Sequence, residues 1–188
     1  MATIKQVKRR QKIRIAEGFL ELAMALDDFC PLNFQLRESL IDQALSALDE
    51  IKNPLGHKPY VLFLKGQACR AVDRFEAAIN YLEQSNKLDP DNMHTYLALA
   101  WCYKRTDQLP LAIETMQSAV ELDSESAIGH YNLACYCALY HRVDLALMHL
   151  SFALDLDSNY RQHIAQESDF DGIRSNPRFA SLAGEAAV

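Results

Sequence analysis

Glycine is scarce and scattered: none of the six lies closer to another than Gly56 does to Gly66. No glycine-rich loop is therefore available to cradle a phosphate. No apolar run is long enough to span a bilayer. Histidine offers no short-range metal pattern, since His141 and His149 are eight residues apart with no third ligand suggested. Neither a Ser-His-Asp nor a Cys-His constellation can be picked out by spacing. The five cysteines (Cys30, Cys69, Cys102, Cys135 and Cys137) are odd in number and fall mostly within helical pattern. They suit reduced thiols packed as small apolar residues in a reducing compartment. Cys135 and Cys137 would lie about 200° apart around a helix, so they cannot share one ion there. These absences predict a chain that is not an enzyme, with no cofactor and no metal.

Acidic residues are missing from the first 14 positions, which hold Lys5, Lys8, Arg9, Arg10, Lys12 and Arg14. The rest of the chain carries 13 basic against 25 acidic residues. An acidic body argues against nucleic acid as the main partner. The basic start reads as a solvated helix end, a contact for an acidic partner or anionic membrane surface, or a targeting segment. Glu17, Glu21 and Asp27 interrupt any secretory core, so the expected location is cytoplasmic.

What is present is a period. Gly66, Ala100 and Ala134 stand 34 residues apart, as do Ala78, Ala112 and Ala146, then Leu82, Met116 and Leu150, then Ser85, Ala119 and Ala153. Each unit closes alike, at Leu88-Asp89-Pro90, Leu122-Asp123-Ser124 and Leu156-Asp157-Ser158. A repeat of this length is a supersecondary unit that cannot bury its apolar face alone. The small columns predict two helices in close approach, with the larger column filling the space between neighbouring units. Asp73 with Glu76 is expected to cap the second helix of the first unit, and Pro90 to stop it. Ala44, Leu48 and Ile51 extend the register into a degenerate unit.

This pattern resembles the tetratricopeptide repeat from Tyr60 to about Tyr160. It departs from the family where Leu62, Tyr96 and His130 replace the first-helix tryptophan, where Lys65 replaces a leucine, and where only the first unit keeps its proline. The resemblance implies an all-α, right-handed superhelical array of antiparallel helix pairs. Its expected organisation is a long N-terminal helix with a degenerate repeat helix over 1–57, three repeats over 58–160 and a C-terminal cap over 161–188. The tail resembles closing segments of bacterial repeat arrays, with Phe170, Ile173 and Phe179 as anchors and Asn176-Pro177 as a helix start.

The family's groove-lining columns carry over onto Phe63, Leu64, Gln67 and Arg70, then Leu97, Ala98, Trp101, Lys104 and Arg105, then Ile128, Tyr131, Asn132 and Cys135. The implied function is a protein–protein interaction scaffold binding an apolar or amphipathic peptide, with acidic flanks to meet a basic rim. Only Asn132 fits the columns with which one subclass grips a C-terminal carboxylate. Secretion-type chaperones of bacteria look similar, and a nucleic-acid or membrane-surface binder through residues 5–14 is the other alternative. The helix predicted over 13–29 is apolar on most of its sides, which points to burial on more than one side: against the next helix and the array, whose groove it can fill, or against a second copy in a homodimer.

Overall fold

The computed structural model describes residues 3–25, 33–52 and 54–184. The Cys30-Pro31-Leu32 stretch, where the proline breaks the helix predicted from 13, lies with Asp27 outside the described residues. All regular structure among the described residues is helical. In chain order the helices are α1 (Ile4–Ala25), α2 (Phe34–Asp49), α3 (Lys58–Arg70), α4 (Phe75–Leu88), α5 (Met93–Arg105), α6 (Leu109–Leu122), α7 (Ala127–Leu139), α8 (Val143–Leu156), α9 (Arg161–Ile164) and α10 (Pro177–Ala183). Tight 3-10 turns at Leu55–His57, Ser158–Tyr160 and Ser168–Ile173 punctuate them. The chain divides into two compact units, 1–98 and 99–188, with the boundary inside α5.

The period is the packing. α4, α6 and α8 start 34 residues apart and have the same length. Ala78, Ala112 and Ala146, and Leu82, Met116 and Leu150, are fully buried. Gly66 shows why its column stays small. A Cβ placed there would come within 2.6 Å of Leu82 Cγ on α4, closer than packed carbons tolerate. Ser85, the one polar member of its column, donates through its hydroxyl to the Pro59 carbonyl at 2.8 Å. A buried hydroxyl is tolerated when it is paired in this way.

One expectation fails. Asp73 does not cap α4: Arg74 holds the cap position and makes no side-chain cap hydrogen bond. Asp73 instead adopts a left-handed φ of 57°, as do Asp107 (58°) and His141 (57°), again 34 residues apart. At these three turns the N–H groups of Arg74, Gln108 and Arg142 donate to the carbonyls of Cys69, Tyr103 and Cys137 at 2.8–2.9 Å. The N–H groups of Asp73, Asp107 and His141 donate to Arg70, Lys104 and Ala138. This pair of bonds is the Schellman termination, which satisfies carbonyls the helix end leaves open. Asp and His are among the few side chains that tolerate the left-handed region.

In unit 1, α1 packs on α2 and α3, and α3 on α4. Their shared core joins Ile13, Ala16, Leu20 and Ala23 to Ile41, Ala44, Leu48, Val61, Leu64 and Ala68. Asn33 caps α2, its side chain accepting from the Gln35 N–H at 2.7 Å. In unit 2, α7 packs on α6, on α8 and on the Ser168–Ile173 turn, and α10 packs on α8. Asn176 caps α10 with Pro177 in its first turn, as the sequence predicts. The expected anchors Phe170, Ile173 and Phe179 are buried, joined by Ile164.

Candidate functional site

The inner helix of the first repeat, α3, does not present its predicted residues to solvent alone. α1 lies beside it, and between the two runs an open cleft of about 460 Å³ lined by Glu17, Leu20, Glu21, Met24, Tyr60, Phe63, Leu64 and Gln67. Of these, Phe63, Leu64 and Gln67 belong to the predicted groove columns. Leu64 is buried at its base, while Phe63 and Gln67 are half-buried. The other five were missed. They come from a helix some forty residues upstream and from the first turn of α3, so no local pattern ties them to the repeat.

The cavity is apolar at its floor and anionic at its edge. The Tyr60 ring stacks on Phe63 with centroids 6.3 Å apart. Its hydroxyl donates to Glu17 Oε1 at 2.7 Å. Burial first, then that bond, pushes the phenol up to about 12, so it stays a donor. Gln67 Oε1 is buried with no hydrogen-bond partner. Glu17, Glu21 and Gln67 therefore offer acceptors, and no basic side chain lines the space. An unpaired buried acceptor is costly, and a ligand N–H would relieve it.

Unit 2 treats its inner face differently. Tyr131 and Cys135, expected to line a groove, are 6% and 2% exposed. The reason is the C-terminal segment. Tyr131 sits 4.8 Å from the Tyr160 ring and meets Phe170 edge-on at 5.8 Å. Lys104, expected on an open basic rim, donates to Asp169 Oδ1 at 2.7 Å. The chain's own residues 160–170 thus cover this part of α7. Trp101 is half-buried with the Arg105 guanidinium 5.6 Å from its ring. Arg105 and Ile128 are exposed, Arg70, Leu97 and Asn132 half-buried, and Ala98 buried.

Ligand atoms of Cys135, Glu167 and Asp169 lie within 4.8 Å of one another. They do not make a convincing metal centre. The Lys104 ammonium already neutralises Asp169. Burial, then the carboxylates of Glu167 and Asp169, push the Cys135 thiol well up, and the protonated thiol is a poor ligand. His130, in the column of the resemblance's first-helix tryptophan, is buried. Its Nε2 lies 3.1 Å from the Ser124 carbonyl and its Nδ1 3.0 Å from His149 Nδ1. The first contact requires an Nε2–H on His130, so His149 donates to the second.

Among the described residues, no helix is long and apolar enough to cross a membrane. Residues 70–131 match the tetratricopeptide repeat family. No curated protein matches the sequence. Among solved structures, the chain is similar to a MamA fragment from Desulfovibrio magneticus RS-1 at 18% identity and TM-score 0.61, covering 90% of this chain and 94% of that one. A MamA RS-1 double mutant is 21% identical with TM-score 0.59, covering 77% and 76%. YrrB, described as a repeat protein with an unusual peptide-binding site, is 15% identical with TM-score 0.58, covering 80% and 74%. The 34-residue packing, the helix pairs and these likenesses agree on a tetratricopeptide-repeat fold, and residues 70–131 carry the family's own pattern.

Proposed function

We propose that the chain is a non-catalytic scaffold that holds an apolar or amphipathic segment of a protein partner, and that in unit 1 the seat is the cavity between α1 and α3. The observation that carries this reading is an open cleft of about 460 Å³ with an apolar floor, two carboxylates in its lining and a buried, unpaired Gln67 acceptor. Aromatic and aliphatic anchors supply affinity in such sites, and rim charges set orientation and encounter rate. The partner segment carries Lys or Arg beside its apolar anchors, because only donors match this rim. That reverses the acidic flanks expected from Arg70, Lys104 and Arg105, since Lys104 is engaged by Asp169. Trp101 is proposed as a separate contact for a partner on α5, and the cytoplasm as the setting.

Selection of random displayed peptides on the folded chain tests the reading. Enriched sequences pair apolar anchors with Lys or Arg; enrichment of acidic sequences, or none, contradicts it. A second reading has its own observation. Lys5, Lys8, Arg9, Lys12 and Lys52 surround a depression with Glu50 and Ile51, which suits an anionic surface. Binding that falls steeply with salt and vanishes when residues 3–12 are deleted would favour that reading.

A further inference from the structure

The buried side of α1 faces α2 and α3 through Ile13, Ala16, Leu20 and Ala23. Turned away from it runs a second apolar line. Ile4 (77% exposed), Ile15 (44%) and Leu22 (53%) are open to solvent. Gln11, Ile15, Gly18 and Leu22 follow the alternating four- and three-residue spacing of a helix-pairing seam, and Ile4 lies seven residues further back with Lys8 between. A Cβ built on Gly18 meets nothing within 4 Å, so a neighbouring helix can come close there. This line is distinct from the cavity lined by Glu17, Leu20, Glu21 and Met24, which occupies another side of the same helix.

The charges of α1 are polarised along its length. Basic residues fill its first half as far as Arg14, and Glu17 and Glu21 follow. Positive charge at a helix N-terminus is unfavourable against the helix dipole, and a nearby acidic segment offsets it. A parallel neighbour would set like charges together; an antiparallel copy of the same helix sets unlike ones together. Crossing between Glu17 and Gly18 places Arg14 opposite Glu21 of a second copy, and by two-fold symmetry does so twice.

We infer that the outer face of α1 is a self-pairing surface, through which two copies of this chain associate antiparallel, crossing between Glu17 and Gly18. The occupant is a second copy because the complement of the seam, in both charge and spacing, is the seam itself. One exposed helix face makes a weak dimer, with a dissociation constant on the order of 10–100 µM.

Sedimentation equilibrium of the full chain from about 5 to 500 µM reads the association directly. The expected result is a reversible monomer–dimer equilibrium. Arg14→Glu, which sets Glu against Glu, weakens it at least tenfold, and Arg14→Glu with Glu21→Arg restores it to within about threefold. Leu22→Ser weakens it as well, and circular dichroism confirms that each variant is folded. A monomer throughout the range overturns the inference, as does a dimer indifferent to Leu22→Ser or a charge swap that fails to restore pairing.

Discussion

Replacing Lys104 with methionine isolates what the C-terminal segment does to the inner face of unit 2. The substitution keeps the length of the aliphatic stem and removes only the ammonium. Asp169, with 8% of its side chain exposed, is left as a carboxylate without its cation. Breaking a buried pair by deleting one partner costs about 3–5 kcal/mol. The Lys104 side chain is itself 27% exposed, and water reaching the site reduces the loss to about 2–3 kcal/mol. Asp169→Leu, made in place of or together with Lys104→Met, removes the stranded charge. The double variant should therefore lie within about 1 kcal/mol of the parent, giving a coupling of at least 1 kcal/mol. Urea unfolding of the four proteins supplies these numbers, and limited proteolysis in the 165–184 segment should accelerate in Lys104→Met alone. Additive losses, or a Lys104→Met chain as stable as the parent, would show that the ion pair does not hold the segment down.

Two further predictions concern stability. His149 lies near pH 4 in the folded chain against 6.5 ordinarily, first because it is buried and then because His130 is beside it. Its folded value is depressed, so the unfolded chain takes up this proton first. Stability is full above pH 6.5 and declines as the pH falls toward 4, by about 1–2 kcal/mol once solvent screening of the half-buried ring is allowed for. His149→Gln should flatten the urea midpoint between pH 7.5 and 5, and an unchanged profile would contradict this. At the left-handed turn positions, Asp107→Val should cost about 1–2 kcal/mol and Asp107→Gly should be neutral or slightly stabilising. For a chain of this size that corresponds to a separation in melting temperature of about 3–8 °C between the two variants.

The helix pairs were legible because they follow from local spacing. Small residues must recur where α3 meets α4, and Gly66 against Leu82 shows the contact that enforces it. The turns were misread for an equally local reason. Asp73 is a good capping residue and a tolerable left-handed one, and only the backbone tells the two apart. The cap was legible, since Phe170, Ile173 and Phe179 are buried as expected, but the cavity and the side chains the cap covers were not. Tyr60 and Phe63 meet Glu17 and Met24 because α1 packs beside α3, and Lys104 meets Asp169 across 65 residues. Both depend on where distant helices dock, and no column of the repeat records that. Lys104 counted as open charge for the same reason, until Asp169 was placed beside it.

The central claim is that the space between α1 and α3 receives a partner's apolar side chain. Isothermal titration of a selected basic, apolar peptide into the parent and into Phe63→Ala tests it most directly. A loss of at least tenfold in affinity, about 1.4 kcal/mol, with an unchanged circular dichroism spectrum, is the predicted result. Equal affinity for a folded Phe63→Ala chain would contradict it.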